Sequence, residues 1–179
     1  MIDTKEIVTS FPRFLENDVA SLLKKTSLET DTHISQTFRV IVKDERLKIP
    51  YRIYFNQPDG ENLNKREALT LNCLFTRHHN GFVRQSNLNR ILLPDEYRIT
   101  PFILQLSGEY VIEILQTIEQ RLSEKLLDNI LQFSAENPGF FETTKSRIIS
   151  YWNCYYRFRF PNKKDYVGFK ILSIIASHK

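Results

Sequence analysis

The sequence predicts a mainly α-helical protein of the α+β class, a compact bundle of stacked antiparallel helices with an N-terminal helix and a β-hairpin. Apolar residues recur at helical spacing over most of the 179 residues, which is the pattern of amphipathic helices. One stretch, residues 38–54, instead alternates apolar and polar side chains in the manner of strands. Only five glycines are present, which argues against a large β-sandwich with many tight turns.

The length and composition indicate one domain. A chain of 179 residues fits a single unit of residues 1–179, with a helix-plus-hairpin subregion in residues 1–60 and a helical core in residues 61–179. The apolar content of 41% and the charged content of 26% are ordinary for a soluble globular protein. No signal-peptide core and no run of about 18 apolar residues is seen. We therefore expect a cytoplasmic protein with no membrane contact.

The first subregion contains a helix and a hairpin. Residues 3–25 have apolar residues at roughly helical spacing, and we expect Pro12 to be either a break or a first-turn residue. Residues 38–43 and 47–54 each alternate in polarity, and the polar turn between them indicates a β-hairpin. Proline lacks the N–H that a central strand needs, so Pro50 indicates an edge strand.

The helical core begins after residue 62. Segments with helical spacing cover residues 63–79, 82–93, 100–122, 123–135, 141–158 and 163–177. We expect Asn80-Gly81 to stop the first of these, because glycine is favoured just past a helix end. Thr100 is expected as a helix cap with Pro101 at the first helical position. That helix is apolar over most of its circumference, so we expect it at the centre of the domain.

A helix, a short Asn-Gly turn and a second helix that opens with Val-Arg resemble one unit of a HEAT-type helical repeat. The residues that carry this resemblance are Asn80, Gly81, Val83, Arg84, Leu88, Ile91 and Leu92. It covers at most residues 63–122, one unit and part of another. The resemblance implies stacked helices and a binding role, and it implies no catalytic residues.

The run FTRHHNGFVRQ, residues 75–85, places two histidines between two arginines. The candidates for a partner site or pocket are Arg77, His78, His79, Asn80, Arg84, Glu109 and Glu113. One interpretation is structural, because histidines in the last turn of a helix interact favourably with its negative end and cap free carbonyls. The other interpretation is a functional site. It requires that the polar stripe of the central helix faces this corner rather than water, and the stripe comprises Gln105, Glu109, Glu113, Gln116 and Gln120.

Enzyme and metal chemistry have less support. Two histidines and a carboxylate such as Glu109 could hold a metal ion or act as acid and base. However, the i, i+4 spacing of helical zinc motifs is absent, and so are nucleophile and phosphate-loop motifs. Cys73 and Cys154 lie in apolar periodic segments, so we expect two buried thiols. We expect no metal and no cofactor.

The C-terminal region is basic and aromatic. Residues 143–179 contain eight Lys/Arg and one acid, a charge of +7, which leaves −3 for residues 1–142. The run YWNCYYRFRFPNKK interleaves rings with cations, as in proteins that bind single-stranded nucleic acid. The nucleic-acid candidates are Arg157, Arg159, Lys163 and Lys164. In the opposing interpretation the cations form a solvated rim, and helical spacing buries the side chains of Ile148, Ile149, Trp152, Tyr155 and Tyr156.

These observations favour a non-enzymatic module that binds another protein in the cytoplasm. The first alternative is a nucleic-acid binder that uses the basic aromatic C-terminal region. The second alternative is a metal-dependent or acid–base enzyme centred on His78, His79 and Glu109. Salt-sensitive binding to nucleic acid would favour the first alternative, and a concave pocket at the histidines would favour the second.

Overall fold

The computed structural model describes residues 5–26, 28, 34–92 and 96–178, with the backbone alone for residues 5 and 6. The described residues form nine α-helices and one two-stranded antiparallel sheet, so the predicted mainly α class with a hairpin is confirmed. Contacts group the chain into two compact units, residues 1–91 and residues 92–179. The expectation of a single domain stays a prediction.

The first unit begins with two short helical pieces and one longer helix. Helix α1 spans Lys5–Val8, a 3₁₀ turn spans Arg13–Leu15, and helix α2 spans Glu16–Thr26. Pro12 lies between α1 and the turn, where its missing N–H ends the helical hydrogen bonding. The predicted break at Pro12 is therefore confirmed.

The hairpin consists of β1 (Thr37–Val42) and β2 (Glu45–Pro50). Its inner face buries Phe38, Val40, Val42, Leu47 and Ile49. Lys43 and Asp44 join the strands with φ of 50° and 66°, the left-handed backbone that two-residue hairpin turns require. The predicted hairpin is confirmed, although β2 ends at Pro50 rather than at residue 54.

The outer edge of β2 is held by the segment that follows α1. The backbone N–H of Lys48 donates to the carbonyl of Thr9 at 2.9 Å. The Ser10 hydroxyl donates to the carbonyl of Lys48 at 2.8 Å. These bonds satisfy backbone groups that an edge strand would otherwise leave open, and they fix the position of Lys48.

Helices α3 (Lys65–Phe75) and α4 (Gly81–Ile91) complete the first unit. Asn64 caps α3, because its side-chain oxygen accepts from the N–H groups of Arg66 and Glu67 while the Glu67 carboxylate accepts from the N–H of Asn64. Helix α3 packs against both α2 and α4. Asn80-Gly81 was expected to stop α3. That prediction is wrong, because Gly81 is the first residue of α4.

The second unit contains five α-helices among its described residues. They are α5 (Thr100–Ser107), α6 (Ile112–Gln120), α7 (Glu124–Glu136), α8 (Pro138–Tyr151) and α9 (Val167–Ser177). Helix α5 contacts α6, α7 and α8, and every one of its residues is buried. The expectation that the apolar segment lies at a centre is confirmed for α5 within this unit.

The single helix predicted over residues 100–122 is wrong, because the chain breaks at Gly108. Glycine is a poor helix former, and the Gly108 N–H closes α5 on the carbonyl of Gln105 at 3.3 Å. A Cβ at this position would lie 3.3 Å from the Thr144 side chain of α8, so glycine permits a close approach between the end of α5 and α8. Thr100 does not cap the helix as predicted, since a 3₁₀ turn, Tyr97–Ile99, leads directly into α5.

Helix α8 continues into a π-helical turn, Trp152–Tyr156. A π turn adds residues per turn, so the spacing that buries Ile148 and Trp152 does not continue to Tyr155. Tyr155 is 65% exposed and Ile149 is 46% exposed, and the expectation that both are buried is wrong. A 3₁₀ turn, Lys163–Asp165, then precedes α9. Nowhere in the described residues is a helix both long and apolar enough to span a bilayer.

Candidate functional site

The histidine corner lies in the loop between α3 and α4 and not in the last turn of α3. The N–H of Ile53 donates to the carbonyl of Arg77 at 3.0 Å, and the N–H of His79 donates to the carbonyl of Ile53 at 3.0 Å. These two bonds form an isolated parallel bridge between His78 and Ile53, which lies in the chain that follows the hairpin. The interaction with the end of α3 that we expected of His78 and His79 is wrong, because the helix stops at Phe75.

The two imidazole rings pack against each other and against neighbouring rings. His78 is only 5% exposed and its ring lies 4.2 Å from that of His79 and 5.9 Å from that of Phe75. His79 is exposed and stacks on Tyr54 at 5.4 Å. Burial, and then the neighbouring His79, lowers the pKa of His78 from 6.5. His78 is therefore held as a neutral ring in a packed stack.

The corner arginines bind backbone carbonyls. Arg84 Nη1 donates to the carbonyls of His78 and His79 at 2.9 and 2.8 Å. Arg77 donates to the carbonyls of Pro50 and Tyr51 at 3.3 and 3.1 Å. Both guanidinium groups are almost fully buried, and a buried charge must be hydrogen-bonded. They therefore hold the loop in place.

Asn80 joins the loop to α4. Its backbone N–H donates to His78 Nδ1 at 3.1 Å, and its side-chain oxygen accepts from the N–H of Phe82 at 2.9 Å. Such a side chain satisfies an otherwise free donor at a helix start. Asn80 is thus a cap of the second helix, which explains why Gly81 opens α4.

The two acidic candidates belong to the second unit. Glu109 follows α5 and is buried at 4% exposure, whereas Glu113 lies in the first turn of α6 and is exposed. The polar stripe expected along one helix is wrong, because the break at Gly108 places Gln105 and Glu113 on different helices. The pairing of Glu109 with the corner stays a prediction.

Among the described residues, no group of three or more His, Cys, Asp and Glu side chains is placed to bind a metal. Cys73 is buried as expected, but Cys154 is exposed, so the expectation of two buried thiols is wrong for the second. Cys154 lies in the π turn, on the side away from the buried Ile148 and Trp152.

The C-terminal candidates form an exposed patch that we call the cationic aromatic surface. It comprises Tyr155, Arg157, Phe158, Arg159, Lys163 and Lys164, all of them exposed. Phe158 is 99% exposed, which is unusual for a phenylalanine side chain. The four cations named from the sequence share this exposed surface with two rings, and their role in binding nucleic acid stays a prediction.

Contacts with buried rings hold the backbone of this surface. Trp152 Nε1 donates to the carbonyl of Phe160 at 2.9 Å and so closes the loop after the π turn. Lys163 Nζ lies 5.1 Å from the Trp152 ring centre and Arg159 lies 5.4 Å from that of Phe160, within the range of cation–π attraction. These contacts hold the cationic groups of Lys163 and Arg159 over aromatic rings.

A tyrosine cluster extends the surface. The ring of Tyr155 lies 5.9 Å from that of Tyr110 and 6.0 Å from that of Tyr151. The Tyr156 hydroxyl donates to the carbonyl of Tyr110, and burial raises the pKa of Tyr156, followed by the nearby Glu113. Sequence reasoning missed Tyr110, because its residue number is far from the aromatic run. A helix break recognised at Gly108 would have suggested that Tyr110 lies in an exposed corner.

Comparisons with known proteins gave no relative. No family model, curated protein or solved structure matches the chain. The function must therefore be argued from the chemistry of these residues.

Proposed function

We propose that the cationic aromatic surface binds single-stranded nucleic acid. The observation that carries the proposal is Phe158, 99% exposed and directly flanked in sequence by Arg157 and Arg159. Bases stack on exposed aromatic rings, and phosphates pair with adjacent cations. This arrangement offers both kinds of contact within three consecutive residues.

The free state of the cations supports the proposal. Neither Arg157 nor Arg159 forms an ion pair with a residue that the structure describes. Arg157 only approaches the Asn153 side chain, at 3.5 Å, and Arg159 lies over a ring. Phosphate can therefore approach both guanidinium groups without displacing a carboxylate, and each can bind it in a bidentate manner.

The rings also suit a single strand better than a duplex. In a duplex the base faces are covered by stacking, so an exposed ring has nothing to stack on. Tyr155 at 65% exposure and Phe158 offer two separate platforms, and each base stacked on a ring contributes about 1–3 kcal/mol. We therefore expect tighter binding to a single strand than to a duplex of the same length.

Fluorescence anisotropy with a labelled oligothymidylate tests the proposal. We expect Phe158→Ala to weaken binding roughly 5- to 100-fold, the equivalent of one lost stack. The matched control is Phe82→Ala, which removes another highly exposed phenylalanine, 83% exposed, from the first unit and should leave the affinity unchanged. Undetectable binding of the native protein at low salt would refute the proposal.

Charge reversal supplies an independent test. Arg157→Glu with Lys164→Glu should abolish most binding at low salt, because the contacts that release counterions are lost. Arg121→Glu with Lys125→Glu reverses two exposed cations elsewhere in the same unit and serves as the charge-matched control. Equal losses in the two double variants would show attraction to the net charge alone.

Our second candidate function is a protein-binding module in the cytoplasm. It would be HEAT-like in the pairing of α3 and α4. Two exposed rings favour it. Phe82, at the start of α4, is 83% exposed, and exposed Tyr54 stacks on His79, which precedes Phe82 by three residues in the sequence. Large exposed rings are enriched at protein interfaces. A photo-crosslinking amino acid at residue 82 should trap one defined protein in cells, and the same group at exposed Glu61 should not. Identical crosslinks from both positions would contradict this candidate.

A further inference from the structure

We infer that the outer face of the hairpin is a second contact surface for nucleic acid, one that binds the phosphate backbone. The inference rests on the proposed function and extends it to the first unit. It starts from the pairing of the strands, which places Arg39 opposite Lys48 and Ile41 opposite Arg46. All three cations are exposed.

This pairing is unfavourable within the protein. Residues directly opposite on antiparallel strands have Cβ atoms about 4.5–5.5 Å apart, and like charges there destabilise the sheet. Arg39 and Lys48 form such a pair. An acid at either of these two positions would form a more favourable pair, so the sheet is less stable with Arg39 and Lys48 than with opposite charges.

No acid on the hairpin offsets the repulsion. Arg39, Arg46 and Lys48 form no ion pair with any residue in the described part of the chain. Glu45 alternates onto the opposite face of β2 from Arg46, and its carboxylate accepts from the backbone N–H of Arg13 at 2.8 Å. The three charges are thus without a carboxylate partner within the described part of the chain, and an external anion can approach them.

The face is also rigid enough to present these charges in a fixed geometry. The backbone of Lys48 is held on its outer edge by Thr9 and Ser10. The turn of Lys43 and Asp44 is tight, and the inner face of both strands is packed into the core. The backbone positions of the three cations are therefore fixed, and binding of an anion needs to order only their side chains.

The side chains of this face favour a polyanionic ligand, and they favour contact with the phosphate backbone of a nucleic acid rather than with its bases. Its one large apolar side chain is Ile41, 38% exposed, and no aromatic ring lies at positions 37, 39, 41, 46 or 48. Without a ring there is no platform for a base. Contact through Arg and Lys alone is made with phosphates and is independent of sequence.

Arg39→Glu is the decisive variant, because stability and binding should move in different directions. The change places opposite charges at the paired positions 39 and 48, so the melting temperature should be unchanged or higher. Affinity for the labelled oligothymidylate should nevertheless fall by about tenfold at low salt, and the slope of log Kd against log salt should become shallower by about one unit. Arg39→Lys keeps the cation and should keep both the affinity and the slope.

Lys65→Glu is the matched control, since Lys65 is exposed in the same unit at the start of α3, where an acid is tolerated. If Arg39→Glu binds as the native protein does, or loses no more than Lys65→Glu, the hairpin inference is overturned while the C-terminal proposal stands. If the native protein binds no oligonucleotide, both fail. Binding of polyglutamate as tightly as of oligothymidylate would assign the face to an acidic protein and overturn the commitment to nucleic acid.

Discussion

Glu67 shows how one side chain joins two helices. It is 1% exposed, and its carboxylate accepts from Lys25 Nζ at 2.8 Å, from the Ser21 hydroxyl at 2.6 Å and from the N–H of Asn64 at 2.8 Å. The hydrogen bonds from Lys25 and Ser21 lower its pKa from 4.5 to about 2, against the opposing effect of burial. The folded protein therefore binds this proton less readily than the unfolded chain does.

The resulting pH dependence has a definite sign. The contribution of Glu67 to the free energy of unfolding is complete above pH 4.5 and is lost as the pH falls towards about 2. We expect Glu67→Gln to lower the stability at neutral pH by roughly 1–3 kcal/mol, discounted because Lys25 is partly exposed. Urea unfolding at a series of pH values should show a shallower acid loss in the variant.

His78 provides the check on that measurement. Its pKa lies below 6.5 in the folded state, so stability also falls with acid, but the decline begins near pH 6.5 rather than 4.5. Glu67→Gln should leave that first decline intact. Parallel curves for the native protein and the variant below pH 4.5 would contradict the role given to Glu67.

Some residues could be understood from the sequence and others could not. Arg84 was expected only as a candidate for a partner site or pocket, and the sequence could not reveal that its guanidinium group binds carbonyls. The exposure of Tyr155 could not be predicted, because helical spacing was extrapolated through a π turn. Nothing local in the run WNCYY distinguishes a π turn from an α turn.

At the scale of elements, the strongest patterns were also the most reliable. The period of two in β1 and β2 and the period of the apolar residues in α7 and α9 correspond to the observed elements. The predicted helix boundaries were wrong at two glycines that are compatible with more than one position. Gly81 can end one helix or begin the next, and Gly108 can lie inside a helix or end it. Which position applies depends on the neighbouring helix.

Close packing makes two glycines of the second unit behave differently. A Cβ on Gly168, in the first turn of α9, would lie 2.8 Å from Ile148 Cγ2 and 2.8 Å from Tyr166 Cε1. We expect Gly168→Ala to lower the free energy of unfolding by about 1–3 kcal/mol, because the packed side chains must shift. Thermal unfolding measures this directly.

Gly139, in the first turn of α8, is the matched control. A Cβ there meets nothing within 4 Å, so Gly139→Ala should be neutral or stabilise by about 0.4–1 kcal/mol by restricting the unfolded chain. A similar loss of stability in both variants would show that helix position rather than packing decides the effect.

At the scale of the whole molecule, the arrangement of charge matters more than its total. The net charge is only +4, yet residues 143–179 carry +7 and residues 1–142 carry −3. Local potential, not the sum, governs attraction to a charged matrix. The sequence alone revealed this asymmetry, whereas the exposure of the charges required the fold.

Cation-exchange chromatography should detect that asymmetry. Arg157→Glu with Lys164→Glu and Arg121→Glu with Lys125→Glu each replace two cations by two anions, so both lower the formal net charge from +4 to zero. We expect the first pair to elute at clearly lower salt than the second, since it removes part of a cluster. Coincident elution would show that retention follows net charge alone.

The exposed Cys154 has a practical consequence. It is adjacent to Tyr155, and the other thiol, Cys73, is buried. A maleimide fluorophore should therefore attach at one position, beside the rings on which bases are expected to stack. Quenching of that dye would report ligand arrival on the native chain, without engineered mutations.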